Sequence, residues 1–217
     1  MIQMENVTYA YEKGYGVKNV NFTIDDAEFT FLIGPTGSGK TTIMKLIYMA
    51  LLPQSGVVTT GRFRSDKIKK RKIPFLRRSV GMIFQDYHLL RDRNLYENIA
   101  LPLYVIGSRH SEIADRVENM IDQVGLVGKE NHSPDELSGG EQQRVCIARA
   151  IVKNPDIILA DEPTGNLDPT TGHKILKIFE QINKEGTCVV MATHNYKLIS
   201  DKTYRVIELN EGRIVSG

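Results

Sequence analysis

The string Gly34-Pro35-Thr36-Gly37-Ser38-Gly39-Lys40-Thr41 fits the pattern G-x-x-x-x-G-K-[ST] at every position. It constrains the fold of these 217 residues more than any other feature, because the pattern works in only one setting. Its glycines let backbone N–H groups curl around phosphate oxygens, and the helix that follows must aim its positive end at the same oxygens. A strand has to deliver the loop and a helix has to leave it. Both are legible. Glu28-Phe29-Thr30-Phe31-Leu32-Ile33 is a short apolar, β-branched run ending at a glycine, and Thr41-Thr42-Ile43-Met44-Lys45-Leu46-Ile47-Tyr48 reads as a helix. Lys40 has the reach to meet β- and γ-phosphates, the Thr41 hydroxyl suits Mg²⁺, and Thr42 completes the nucleotide-contacting turn.

Three further apolar runs look like buried strands: Val80-Gly81-Met82-Ile83-Phe84, Asp156-Ile157-Ile158-Leu159-Ala160 and Thr187-Cys188-Val189-Val190-Met191-Ala192. Strands separated by helical stretches predict an α/β core around a mostly parallel sheet. Two regions break the rhythm. Residues 1–22 and 56–61 are strand-rich and predict an antiparallel β layer. Between residues 86 and 137 the pattern turns helical, with Ile113, Val117, Ile121 and Val124 on one face and Ser111 placed to cap. This stretch, extended to about residues 86–150, is the candidate for a helical subdomain inserted in a single domain over 1–217. Tyr204-Arg205-Val206-Ile207-Glu208-Leu209, a turn at Asn210-Glu211-Gly212, and Arg213-Ile214-Val215 predict a closing hairpin.

Composition excludes several classes. With 41% hydrophobic and 25% charged residues and a net charge of +2, the chain reads as an ordinary soluble globular protein for which no nucleic-acid partner is expected. Cys146 and Cys188 are far apart and in no metal-ligand spacing, as expected of small apolar residues in a reducing compartment. Met1-Ile2-Gln3-Met4-Glu5 shows no basic-then-apolar leader pattern. The longest apolar runs, such as residues 99–106, fall well short of the roughly 20 residues of a membrane span. Work at a membrane would therefore need spans from another chain.

Ile157-Ile158-Leu159-Ala160-Asp161-Glu162 is a strand that ends in two carboxylates. At a strand tip beside the phosphate loop, Asp161 can hold Mg²⁺ and Glu162 can orient or deprotonate an attacking water.

Leu137-Ser138-Gly139-Gly140-Glu141, followed by Gln142-Gln143-Arg144, resembles the signature of the ABC-type ATPases. Alone, it would be a Ser-Gly-Gly turn with a Ser-x-x-Glu cap. With the other motifs in order, the resemblance covers essentially the whole chain. It implies a P-loop NTPase (RecA-like) core and an ATPase that uses ATP and Mg²⁺ and forms a homodimer around two ATP molecules. In each site, Ser138, Gly139 and Gly140 of one copy would face the γ-phosphate bound by the other. Gln85 corresponds to the glutamine that senses Mg²⁺ and the coupling partner. Gly165-Asn166-Leu167-Asp168 corresponds to the loop that touches the opposite copy, with Asp168 among its nucleotide-site residues. His194 corresponds to the histidine that contacts the γ-phosphate. Tyr11 corresponds to the aromatic that stacks on adenine, with Tyr9 and Tyr15 close by. Asp26-Ala27-Glu28 stands where the family often has Pro-Gly-Glu, and Tyr48 where a small residue is common.

Within the family the chain is most similar to the cell-division branch, the FtsE type. The similarity is carried by Pro74-Phe75-Leu76-Arg77-Arg78, Gly81-Met82-Ile83-Phe84-Gln85-Asp86, His88-Leu89-Leu90 with Asp92-Arg93, and residues 159–168. Exporters of the LolD and MacB type, for lipoproteins, peptides or drugs, are the alternative. The branch implies an integral membrane permease-like partner (FtsX-like), control of cell-wall hydrolysis, and a cytoplasmic chain held on the inner face of the membrane by that partner. ABC ATPases that act on nucleic acid or ribosomes usually carry two cassettes, a long coiled-coil insertion or zinc-binding cysteines, and none is visible here. A catalytically silent regulatory subunit conflicts with the complete catalytic set. The basic run Arg62, Arg64, Lys67, Lys69, Lys70, Arg71, Lys72 has two readings, a solvated loop face or a contact with anionic lipid headgroups.

Overall fold

In the computed structural model, residues 1–12, 14–165, 167–200 and 203–217 are described, residues 197 and 198 by their backbone. The chain begins with β1 (Ile2–Ala10), β2 (Gly16–Ile24), β3 (Phe29–Ile33), α1 (Lys40–Ile47), β4 (Ser55–Thr60) and β5 (Phe63–Arg64). There follow α2 (Ile73–Ser79), β6 (Val80–Ile83), α3 (Leu95–Ile106), α4 (His110–Gln123), α5 (Gly139–Ile151) and β7 (Ile157–Asp161). It closes with α6 (Pro169–Lys184), β8 (Cys188–Thr193), α7 (Tyr196–Ile199), β9 (Arg205–Asn210) and β10 (Arg213–Ser216).

These strands form two sheets. The larger has the order β10-β9-β3-β8-β7-β6, and its neighbours from β9 to β6 are parallel. The smaller, β2-β1-β4-β5, is antiparallel. The expected parallel core and antiparallel layer are therefore both present, with strand boundaries shifted by about a residue.

Strict alternation along the buried strands explains how the layers stack. Phe29, Phe31 and Ile33 of β3, Ile158 and Ala160 of β7, and Val189 and Met191 of β8 face one apolar cluster, shared with α3, α4, α5 and α6. Leu32, Ile157, Leu159, Cys188, Val190 and Ala192 face the other, filled by α1 and the antiparallel sheet. A strand covered on both faces has to be apolar throughout, which is why these segments show no polar alternation. Phe31 and Leu159 are completely buried. Each side chain of this size contributes roughly 1.5–3 kcal/mol by leaving water.

The helices of the 86–150 stretch pack chiefly on one another, α3 against α4 and α5. Their buried faces join the same cluster as one face of the large sheet. Ile113, Val117 and Ile121 line the buried face of α4, and Val124 is buried just beyond its end. Ser111 does not cap this helix. The helix begins at His110 with Arg109 as its extended cap residue, because the left-handed Gly107 ending α3 already reverses the chain and Glu112 N–H donates to Arg109 O at 3.0 Å. The C-terminal hairpin is present, its turn made by Glu211 and Gly212, both at positive φ (46° and 77°) as a type I′ turn requires. Ala27, in the turn that departs from the family's glycine, is held at φ 57°.

Candidate functional site

Parallel strands all end at one edge of the sheet, and in this chain that edge collects the chemistry. β3 leads into the phosphate loop, β8 into His194, β7 into Asp161 and Glu162, and β6 into Gln85. Strand order refines the expectation that the carboxylate strand tip lies beside the loop: β8 stands between β3 and β7. His194 thus emerges between the loop and the carboxylates.

The phosphate loop owes its path to its glycines. Gly34 sits at φ 146°, and a Cβ there would lie 2.2 Å from Leu209 O and 2.7 Å from Ser38 Oγ. Gly39 precedes α1 at φ 109° without a side-chain cap, so the helix's first N–H groups remain available to an anion. Pro35, Thr36 and Gly37 are exposed at the loop's crest, whereas Ser38, Lys40 and Thr42 are buried. Lys40 Nζ donates to Gly34 O at 2.7 Å and Pro35 O at 3.1 Å. The C-terminal hairpin braces the loop: Gly212 N–H donates to Ser38 O at 3.0 Å, and Lys18 N–H donates to Gly212 O at 2.7 Å. That brace joins the antiparallel layer to the loop, and sequence reading missed it.

Asp161 is 4% exposed and has one carboxylate oxygen without a hydrogen-bond partner. Burial raises its pKa above the usual carboxylate range, opposed by a hydrogen bond to Thr41 and by Lys40 and Lys45. A desolvated carboxylate with an orphaned oxygen, next to the Thr41 hydroxyl, has the donor set of a hard divalent cation site. These residues therefore fit Mg²⁺.

Glu162 follows at φ 50°, a left-handed conformation that costs about 1–3 kcal/mol in a non-glycine residue and is concentrated at functional positions. Its side chain is 8% exposed, and Oε1 lies 2.9 Å from His194 Nδ1 and 3.6 Å from Lys40 Nζ. The His194 N–H donates to Oε2 at 3.3 Å. Lys40, Glu162 and His194 thus meet around one carboxylate.

Gln85 is exposed two residues past β6, on a cleft of about 440 Å³ whose far wall includes Asp135 and Gln142. The segment after Gln85 is tied to α5 by contacts that no local pattern reveals. Arg149 donates to Tyr87 O at 2.9 Å and to His88 O at 2.8 Å, and Cys146 Sγ donates to Tyr87 O at 3.0 Å. Ser138 caps α5 in a capping box with Glu141. Lys129, together with the Ser138 hydrogen bonds, holds the Glu141 carboxyl down at about 2. Gly139 lies against Tyr87, and Gly140 against Thr171 and Leu167. Among the described residues, none of these contacts of Ser138, Gly139 and Gly140 is with the phosphate loop. Asp168 caps α6 by accepting from Thr171 N–H at 3.0 Å, and its hydrogen bonds to the Thr171 side chain and backbone lower its pKa. Asn166, in the same loop, lies outside the described residues.

Tyr11 ends the β1 edge with its ring against Tyr9, edge to face at 5.0 Å, on an open cleft of about 680 Å³ that also includes Tyr15 and Gln54. It is 37% exposed against 72% for Tyr15.

Comparison with known proteins adds independent findings. The sequence profile of the ABC transporter family matches residues 17–165. The chain is 48% identical over 217 residues to the cell division ATP-binding protein FtsE of Mycobacterium tuberculosis, covering 99% of this chain and 94% of that protein. It is 45% identical to the FtsE of Escherichia coli strain K12, over 100% of this chain and 98% of that one, and 46% identical to the FtsE of Bacillus subtilis, over 99% and 95%. Among solved structures it superposes on the dimeric ABC transporter cassette MJ0796 with a TM-score of 0.91, at 36% identity, covering 100% of this chain and 97% of that one. The post-hydrolysis dimer of the same cassette, bound to ADP and Pi, gives a TM-score of 0.90 at 34% identity over the same shares.

Proposed function

This chain belongs to the ABC transporter family, and from that premise we propose how its nucleotide site works and what it drives. The protein is an ATPase subunit. One observation carries the reading of its chemistry: Glu162, strained and with its side chain 8% exposed, is gripped between Lys40 and His194.

ATP enters with its phosphates on the N–H groups of the 34–42 turn, and Lys40 exchanges the carbonyls of Gly34 and Pro35 for β- and γ-oxygens. Tyr11 stacks on the adenine. Thr41, Asp161 and Gln85 would hold Mg²⁺, which supplies charge neutralisation on the phosphoryl group when bound. Glu162 accepts the proton of the attacking water, and His194, hydrogen-bonded to Glu162, steadies that carboxylate and contacts the γ-phosphate. Ser138, Gly139 and Gly140 complete the site from a second copy, with Asp168 near the same boundary. ATP draws two copies together because the closed dimer binds it more tightly than the open one, and hydrolysis releases them.

The curated relatives support the cell-division branch over an exporter. The chain then drives an FtsX-like membrane protein controlling cell-wall hydrolysis, and sits on the cytoplasmic face through that partner. No helix among the described residues is long and apolar enough to cross a membrane, which fits a separate membrane chain. Exposed Leu101 and Val105 border a cleft between α2 and α3 that offers this partner an apolar seat.

The test is Glu162→Gln. It should bind ATP with near-normal affinity, lose at least about a hundredfold in turnover, and accumulate as an ATP-bound dimer in light scattering. A monomer with ATP at high protein concentration would overturn the proposal.

A further inference from the structure

Nine of the 28 Lys and Arg residues lie between Arg62 and Arg78, against the single carboxylate Asp66, so a chain of net charge +2 carries a segment of +8 on a remainder of −6. The structure gathers this charge. β5, a 3-10 turn at Lys70–Lys72 and α2 enclose an open cleft of about 610 Å³ bordered by Arg62, Arg64, Lys67, Lys69, Arg71 and Lys72. All six are exposed, and among the described residues only Arg64 has a carboxylate partner, Asp66 at 3.2 Å. Like charges held this close repel one another, and an external polyanion relieves that repulsion.

The apolar groups in the patch identify the polyanion. Phe75 is 45% exposed, with Lys72 Nζ and Arg78 Cζ each 5.0 Å from its ring centroid. Arg62 likewise lies 5.2 Å over the Phe63 ring. Each ring already has at least one of the chain's own cations over it, which leaves less free face for stacking on nucleobases. An exposed aromatic ringed by flexible cations instead matches an anionic bilayer interface, where the ring enters the boundary and the cations meet phosphates. The patch is also continuous with the seat assigned above. Phe75 faces the basic cleft, while Pro74, Arg77 and Arg78 of the same helix border the cleft of Leu101 and Val105.

We propose that the 62–78 surface binds the anionic phospholipid headgroups of a membrane leaflet and orients the cassette on the bilayer. The proposal rests on the reading of the chain as a membrane-complex subunit only for which leaflet it meets.

The test is flotation of the purified full chain, without any partner, on vesicles of neutral phosphatidylcholine and on vesicles that also contain phosphatidylglycerol. Binding should be confined to the anionic vesicles and should fall steeply with salt. Each neutralised cation should weaken partitioning about fivefold. A Lys69→Gln, Lys70→Gln, Arg71→Gln, Lys72→Gln variant should therefore lose several hundredfold while keeping wild-type ATP turnover and melting temperature. Phe75→Ala should weaken binding severalfold without changing its salt dependence. Equal binding to both vesicle types, or none, overturns the proposal, as does tighter binding to duplex RNA or release from vesicles by low concentrations of inorganic phosphate. A chain that ignores vesicles yet hydrolyses ATP sinks this proposal alone. A chain that binds vesicles without hydrolysing ATP sinks the functional reading alone.

Discussion

Asp161→Asn should make the nucleotide-free protein more stable while abolishing the stabilisation it gains from Mg·ATP. Asp161 is 4% exposed, one of its oxygens has no partner, and burial, aided by the neighbouring Glu162 charge, outweighs the Thr41 hydrogen bond and the favourable Lys40 and Lys45 fields enough to raise its pKa. For an acid, a raised folded-state pKa means that the folded chain binds its proton more tightly than the unfolded one. The contribution of Asp161 to stability is therefore most favourable at pH values below the ordinary 3.8 and falls as pH rises through the window from 3.8 to the folded value. Above that folded value the full penalty of a buried carboxylate is present. Asparagine keeps the shape and the acceptor for Thr41 but removes the charge, a gain of about 1–2 kcal/mol after the new amide's own burial is counted. For a chain of this length that raises the melting temperature by about 2–8 °C. Differential scanning fluorimetry at pH 7 would measure it, with and without Mg·ATP. Wild type should gain about 2.7 kcal/mol from ligand at a hundred times its Kd, and Asp161→Asn almost none. A nucleotide-free variant less stable than wild type at pH 7 would refute the claim that Asp161 is held at a cost for a cation.

Three further outcomes follow from local geometry. Ala27 at φ 57° should be stabilised by about 1 kcal/mol on Ala27→Gly, read in urea melts with unchanged ATP turnover. Gly34→Ala drives a Cβ to 2.2 Å from Leu209 O and should lose at least tenfold in ATP affinity by calorimetry, through displacement of the loop or of β9. Arg149→Lys cannot fork between Tyr87 O and His88 O. It should lower stability by about 1–2 kcal/mol and reduce stimulation of ATPase activity by the membrane partner, while basal ATP affinity is unchanged.

Much of this was readable from short stretches of chain. The phosphate-loop glycines, the run of apolar residues before them and the acidic pair closing residues 157–162 announce a strand edge built for nucleotide, because each feature reflects a local requirement. Positive φ selects glycine, and burial on both faces selects unbroken β-branched and apolar runs. Capping is also local, and the Ser138–Glu141 box is visible in four residues. Ser111 misled because a capping residue competes with the geometry of the preceding turn, which Gly107 set.

The tertiary structure decided what depends on distant segments meeting. It put β8 between β3 and β7, so that His194 reaches Glu162 across 32 residues of sequence. It turned the hairpin at Gly212 against Ser38, and it clamped Tyr87 to Arg149 over 62 residues. Strand order and such clamps follow from which burial and hydrogen-bond arrangement is lowest in free energy for the whole chain, and no local periodicity encodes that. The basic run was plain as composition, but its union with Phe75 and with the α2–α3 cleft exists only in the folded chain.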